Sequence, residues 1–432
     1  MNKILKKISF PLFFFIISCQ VQELRQEISL QESEQHLTNF IIQDIYSPPV
    51  AARYYAYSNL AWYEAIRWQD SNAVSIIEKM QAFDQIPAPH KGVVYKLAAI
   101  RSFFTTAKTL LLASKDSLAS LQKDLEKNAA TAYPKESVAA SFQYGDFVAA
   151  VIIKRAEKDN FKATRGLAKY STFLETGKWQ QTPPDYADAL EPYWGTILPL
   201  AIESADLYRA YPPPSYSKDV SSLYQQQVKE VWNISRQLTP EQDTIAHYWD
   251  DNAFVSQHQG HFTFATKKTT PGGHWMGIAA ILTNQQKASE VTTSFCFALT
   301  SAAILDGFIA CWYDKYKTQM PRPITVIREQ YDPNWNALLQ TPPFPEYTSG
   351  HSVISAAASE ILFEIFGNVP FQDTTELPYL GLQRHFLSVK HAADEAGISR
   401  LYGGIHFRAA IENGKEQGKK IANRYKQLYF IK

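Results

Sequence analysis

Apolar residues recur three and four positions apart along almost the whole of this chain, and that period constrains the fold more than any other feature. It runs through VAARYYAYSNLAWYEAIRW (50–68), VVYKLAAIRSFFTTAKTLLLAS (93–114) and SVAASFQYGDFVAAVIIKRAEKD (137–159), with Gly and Pro sparse inside them. Pro48-Pro49 and Thr239-Pro240-Glu241-Gln242 mark helix starts. The second offers an N-cap, a proline at the first helical position and a glutamine at the third. No alternation of apolar and polar residues is long enough to demand a sheet, and no internal repeat is visible. The expected class is all-α: a single large helical domain over residues 36–432, because no polar Gly/Ser-rich break divides it.

Residues 160–220 depart from this pattern. GKWQQTPPDYADALEPYWGTILPLAI and YRAYPPPSYSKD are rich in Pro, Trp and Tyr. Aromatics in that number are buried, so the region reads as an ordered excursion packed on the helices; a functional role and a structural belt stand level. The start, MNKILKKISFPLFFFIISC, has a basic opening, a short apolar run and Ser18 before Cys19. That run is too short to span a bilayer comfortably as a mature helix. It resembles a bacterial lipoprotein signal. The resemblance implies a signal peptide over residues 1–18, lipidation of Cys19 and a polar tether over residues 19–35. It also implies an extracytoplasmic protein lipid-anchored to a bacterial membrane, in the periplasm or at the cell surface; a plain secretory signal is the alternative.

Of the remaining chain, residues 291–312 come nearest to a membrane span, but they carry Thr and Ser and are broken by Asp306. Cys296 and Cys311 lie in that stretch and read as buried free thiols. Formal charge is +1, from 43 basic and 42 acidic residues, and Lys3, Lys6 and Lys7 of the leader outweigh it. No basic field for nucleic acid follows.

Three separated pieces carry chemistry. The first is CWYDKYKTQMPRPITVIR, where Arg322 lies between Pro321 and Pro323, on a stiff stretch biased out of helix. The second is PPFPEYTSGHSVISAAASE, where Thr348-Ser349-Gly350-His351 opens a helix with Thr348 or Ser349 as its cap. The unpaired N–H groups and positive dipole of a helix start suit an anion, and Gly350 lets it approach the backbone. The third is ISRLYGGIHFRAA, with Arg400 and His406. Arginine presents a planar fork to a tetrahedral oxyanion, and lysine a point charge. Each piece alone has an ordinary structural reading: a solvated Lys315, a surface turn at Arg322, Arg400 on a helix C-terminus, a core His406. Together they make an oxyanion box with an acid–base group and a nucleophile or ligand.

The pattern of Lys315, six residues, Arg322-Pro323, then Ser349-Gly350-His351, then Ser399-Arg400, five residues, His406 resembles the signature of the vanadium-dependent haloperoxidases and type 2 phosphatidic acid phosphatases. Trp312 looks like the tryptophan lining the haloperoxidase pocket. PPFPEYTSGH resembles the chloroperoxidase segment, with Phe344 where algal bromoperoxidases carry histidine. The signature falls in residues 312–410, and weaker likeness to secreted bacterial haloperoxidase-like lipoproteins covers most of residues 40–425. The resemblance implies a vanadium chloroperoxidase-like helical-bundle fold, with vanadate or phosphate on Lys315, Arg322, Ser349, Gly350 and Arg400. It implies that His406 bonds vanadium or attacks phosphorus, that His351 moves protons, and that Lys315 polarises bound peroxide. Two positions depart from the family. Thr348 replaces a proline and should do little harm as a cap. Ala410 stands where the signature has Asp, the carboxylate that would orient His406, and Glu412 points to another face.

The leading expectation is therefore a vanadate-dependent haloperoxidase oxidising halide with hydrogen peroxide. The missing Asp tilts the reading that way, since a nucleophilic histidine needs its tautomer fixed more than a ligand does. One alternative is a soluble acid phosphatase acting on a phosphomonoester through a phospho-histidine. The other is a non-catalytic surface lipoprotein binding glycans through the Trp/Tyr/Pro belt. A zinc site at His258, His261 and His274 is set aside, because no carboxylate or cysteine spacing completes it. Halide preference, organic substrate and oligomeric state are not legible.

Overall fold

The structure is a computed structural model that describes residues 28–172, 175–253, 255–259 and 261–431. Fifteen helices are present among them. The N-terminal half holds α1 (Leu30–Gln43), α2 (Pro48–Ile66), α3 (Tyr95–Leu110), α4 (Lys115–Ala130), α5 (Lys135–Glu157) and the short α6 (Phe161–Thr164). After the belt come α7 (Leu223–Ser235), α8 (Pro240–Tyr248), the hairpin β1 (Val255–Gln259) and β2 (Phe262–Thr266), α9 (Pro271–Gln285) and α10 (Glu290–Thr318). The last part holds α11 (Pro323–Gln330), α12 (Gly350–Phe366), β3 (Phe371–Asp373), α13 (Leu377–Leu380), β4 (Arg384–Phe386), α14 (Val389–Tyr402) and α15 (Arg408–Tyr429). The all-α expectation holds. The two antiparallel hairpins were not foreseen, because strands of five and three residues are too short to show an alternating pattern.

α10 is the axis of the molecule. Ser289 caps its start by accepting from Thr292 N, and it ends at Gln319 in the left-handed region, just before Met320-Pro321. It is long and apolar enough to cross a membrane, yet 94% of its most apolar window is buried inside the protein. On one side it packs against α2, which belongs to a bundle with α3 and α5; on the other it packs against α12 and α15. Cys296 and Cys311 are free and buried in it, as expected. Asp306, which interrupts its apolar run, is a clamp. Its carboxylate accepts from the backbone N–H groups of Leu200, Ala201 and Ile202 and from Tyr425 Oη, tying the belt and α15 to the axis.

α1 begins at Leu30, inside the stretch expected to be a tether. Ser29 and Glu32 form a capping box there, and Leu30, Leu37 and Ile41 bury one face, so a Gln/Glu-rich sequence folds onto the core instead of staying extended. The lipoprotein signal and Cys19 lie outside the described residues. α12 and α15 meet almost backbone to backbone: a Cβ on Gly418 would stand 2.1 Å from Val353 O, and one on Gly414 3.1 Å from Ser349 O. Only glycine allows that approach.

Candidate active site

The first turn of α12 fixes the centre of the site. Ser349 is its N-cap, accepting from Ser352 N, and its own N–H donates to Ala410 O at the start of α15. Thr348 is not the cap; its hydroxyl donates to Gln417 Oε1 at 2.9 Å. Gly350 therefore stands at the first helical position with its N–H outside the helical ladder. Trp312, Phe344, Gly350, His351, Arg400 and His406 line one cavity of about 80 Å³. That space is ample for a tetrahedral oxyanion.

Behind this wall sit buried cations. Arg322, extended as the N-cap of α11, donates Nε to Phe344 O at 2.9 Å and Nη1 to Ile405 O at 2.8 Å. Its Nη2 has no partner. Lys315 does not line the cavity. Its ammonium donates to the carbonyls of Pro345 (2.9 Å), Glu346 (3.1 Å) and Thr348 (2.5 Å), so it props the segment leading into α12. Arg400 lines the cavity and also donates Nη2 to the carbonyls of Ala246 and Trp249 at the end of α8. Burial pushes Lys315 down to about 7, helped by the Arg322 charge, and pushes Arg322 down to about 10, helped by the Arg400 charge. The unpartnered Arg322 Nη2 and the Gly350 N–H are donors for an anion among these cations. The donor set fits vanadate or phosphate.

His406 shows what the sequence concealed. Its Nδ1 meets Glu346 Oε1 at 2.9 Å, and the same oxygen accepts from Phe407 N at 2.9 Å. Burial pushes Glu346 up to about 7, against the Phe407 N–H and the Arg322 and Lys315 charges. Because its Oε1 already accepts from Phe407 N, it faces Nδ1 as an acceptor, so Nδ1 carries the proton and Nε2 keeps its lone pair, which here accepts from Arg322 Nη1 at 3.1 Å. Glu346 thus does from the loop before α12 what the missing Asp at 410 would do from α15. Burial and the neighbouring Arg322 and Lys315 charges hold His406 well below the ordinary imidazole range, so it is neutral. Glu412 cannot substitute, as expected; it faces Arg408 and Lys415 at the surface.

His351 has a different setting. Its Nε2 faces Asp251 Oδ2 at 3.6 Å. Burial first, and then Arg400, push it down to about 4 against the opposing pull of Asp251 and Asp250. Asp251 in turn meets His274 Nδ1 at 2.8 Å, and His274 Nε2 meets Asp373 Oδ2 at 3.0 Å. Carboxylates from distant segments surround His274. Sequence reading missed Glu346, Asp251 and His274. The one available signal was Glu346 itself, a lone acid inside a Pro- and aromatic-rich segment.

The belt reaches the site. Leu190 O accepts from Trp312 Nε1 (3.2 Å) and Tyr316 Oη (2.7 Å), and Leu190 N donates to Pro343 O (2.9 Å). Pro183, Pro184, Asp185, Ala187 and Leu190 line a cavity of about 330 Å³ that shares Leu190, Gln340, Pro342 and Pro343 with the smaller one. The belt is the wall of an antechamber. Inside, Phe344 packs on Trp312 with centroids 4.9 Å apart, and its ring lies 4.9 Å from both Lys315 Nζ and Arg322 Cζ.

Comparison with known proteins agrees with this geometry. Residues 295–430 match the family model of the VCPO second helical-bundle domain. Vanadium chloroperoxidase of Curvularia inaequalis is 23% identical over 164 residues, which is 26% of this chain and only 27% of that relative's length. Among solved structures, the holo form of a bacterial vanadium-dependent chloroperoxidase shares the fold at 16% identity, with a TM-score of 0.67 and coverage of 88% of this chain and 91% of that one. The crystal structure of the first bacterial vanadium-dependent iodoperoxidase is 40% identical over 91% of this chain and 94% of that one, with a TM-score of 0.86. Identity at that level along nearly the whole length, over a cradle of buried cations beside a histidine whose Nδ1 is held by Glu346, places this chain in the vanadium-dependent haloperoxidase family.

Proposed function

We propose that the protein oxidises iodide, and other halides less readily, with hydrogen peroxide, using vanadate held by Arg322, Ser349, Gly350 and Arg400 with His406 Nε2 as its ligand. The observation that carries this reading is the state of His406: Nδ1 spent on Glu346, Nε2 a lone pair among buried cations. Iodide comes from the 40%-identical relative, which is an iodoperoxidase. Bound vanadate, at oxidation state five, supplies a Lewis acid that activates peroxide toward halide. The rest belongs to the chain. Arg322, Arg400 and the Gly350 N–H orient the oxyanion and balance its charge. Lys315, its donors committed to carbonyls, acts by its field and by holding the segment that carries Glu346. His351, held neutral, takes the proton of incoming peroxide, and Asp251 faces the positive ring that results. Trp312, Phe344 and the proline-lined antechamber limit water around the halide.

Glu346 also favours a second reading. A fixed tautomer is what a histidine nucleophile needs, so the absence of Asp at 410 no longer counts against phosphomonoester hydrolysis through a phospho-histidine. A paired assay separates the two. Vanadate-loaded protein is followed for iodide and bromide oxidation, and vanadate-free protein for p-nitrophenyl phosphate hydrolysis. Halide oxidation with little phosphatase turnover is expected; phosphatase turnover that vanadate inhibits, without halide oxidation, would overturn the first reading. An extracytoplasmic, lipid-anchored address through Cys19 belongs to the same proposal. Loss of fatty-acid labelling in Cys19→Ala tests it, and unchanged labelling would reject it.

A further inference from the structure

We propose that His274 is a positioning residue for the proton transfer at His351, acting through Asp251. The reaction it serves rests on the haloperoxidase reading above; the assignment rests on geometry. His274 lies on the first turn of α9, fully buried and outside the cavity. It has a carboxylate on each ring nitrogen, Asp251 at 2.8 Å and Asp373 at 3.0 Å. A ring that donates from both nitrogens is an imidazolium. Asp373 is itself fixed, because its other oxygen accepts from Thr375 N at 3.0 Å and Thr375 Oγ1 at 2.6 Å. Trp249 lies flat on the His274 ring, with centroids 4.4 Å apart and planes at 15°, and Tyr248 closes the edge. An aromatic face over a buried cation stabilises it. The carbonyl of the same Trp249 receives Arg400, so the acid–base side and the anion side share one support.

Asp251 joins His274 to the reaction. One oxygen is bonded to His274; the other has no hydrogen bond and faces His351 Nε2 at 3.6 Å. Its backbone sits at φ +26°, where a side chain is rarely found, so neighbouring contacts hold it in place. A carboxylate this deeply buried takes up a proton unless a cation or donors stabilise its charge. His274 and His351 hold Asp251 below the ordinary carboxylate range although burial pushes it the other way. When the peroxide O–H bond breaks and the proton goes to the His351 ring, an ionised Asp251 already faces the new positive charge. Asp250 and Arg400 also face His351, and Asp250 is neutralised by Lys268 at 2.8 Å. Glu376 faces His274 Nδ1 from 3.7 Å with neither carboxylate oxygen hydrogen-bonded, and burial pushes it up to about 8, so it stands neutral.

The test uses the full chain without its signal, as His274→Gln, Asp251→Asn and the double variant, with His274→Asn in reserve should His274→Gln fail to fold. Peroxide kcat/KM in iodide oxidation is expected to fall about 10–100-fold in His274→Gln, the usual cost of losing a group that orients a functional ligand. The vanadate Kd, from equilibrium titration, should stay within about threefold, and adding His274→Gln to Asp251→Asn should cost less than about threefold more. In vanadate-free protein labelled at histidine 13Cε1, the signal that disappears in whichever His274 variant folds should be that of an imidazolium, unchanged from about pH 5.5 to 8.5. Additive losses, an equal loss of vanadate affinity, or a His274 signal that titrates in that range would overturn the proposal. Asp251, His274 and Glu376 also place three ligand-type atoms within 4.8 Å of one another. Stoichiometric metal in the purified protein that disappears in His274→Gln would overturn it as well. Absence of halide oxidation in the unaltered enzyme would fault the haloperoxidase reading alone, because the NMR measurement needs no turnover.

Discussion

His406 and His351 line the same small cavity, and their surroundings have opposite sign. Around His406 the fold gathers Arg322 and Lys315 against one carboxylate, Glu346. Around His351 it gathers Asp251, with His274 and Asp373 behind, against Arg400. His406 is buried and His351 partly so, and both are held neutral, but only His351 has a carboxylate, Asp251, that pulls toward the protonated ring against burial and Arg400. Two identical side chains are given different chemistry by where the charges behind them stand.

The largest test of this contrast is to remove each ring. His406→Ala should lose vanadate binding and halide oxidation together. His351→Ala should bind vanadate nearly as before, with turnover reduced about 10²–10⁴-fold, the range for loss of a general acid–base group. Undiminished turnover in His406→Ala would remove the whole site, and normal rates in His351→Ala would move the proton transfer elsewhere. Next, Glu346→Gln should weaken vanadate binding about 10–100-fold, because Nδ1 loses its carboxyl acceptor. Adding Ala410→Asp to that variant should restore part of the loss, since position 410 is the fourth after His406, on the first turn of α15 just beyond it. Ala410→Asp alone should lower Tm, because Ala410 is buried and the carboxylate position is already filled. Unaltered affinity in Glu346→Gln would end the comparison on the His406 side.

A smaller effect separates the cationic half by pH. Lys315 is pushed down to about 7 in the folded protein, while the unfolded chain holds that proton up to about pH 10.4. Between these values the unfolded state binds the extra proton, so Lys315 makes vanadate-free protein more stable as pH rises and less stable as pH falls toward 7. The slope from this one group is at most about 1.4 kcal/mol per pH unit. Denaturant titrations should show it, and Lys315→Met should flatten it; equal slopes would mean the lysine keeps its proton. The smallest change expected is at Phe344. Phe344→His should shift the iodide-to-bromide rate ratio less than about tenfold, in line with a single pocket contact.

Much of this was legible in the chain. Helical period and caps are local properties, so α2, α3, α5 and α8 follow from neighbours a few residues apart. The three signature pieces have fixed internal spacing, and the structure brings Trp312, Phe344, Gly350, His351, Arg400 and His406 to one cavity with Arg322 behind it. The carboxylates were not legible, because each meets its histidine across a gap that no local pattern spans: Glu346 lies 60 residues from His406, and Asp251 23 residues from His274. The belt was legible as ordered but not as an antechamber, since its tie to the site is a backbone carbonyl, that of Leu190, which has no residue-type signature.

The glycine seam between α12 and α15 makes the site a matter of clearance as well as charge. Gly350 and His351 ride on the first turn of α12, and Ser349 is fastened to Ala410 at the head of α15. Gly418 is two turns further along α15, against Val353 O. A single methyl there is a wedge: it would lift one helix from the other and carry the Gly350 N–H away from the position where the cations converge. The gauge of the active site is set at a contact that holds no charge and touches no reactant.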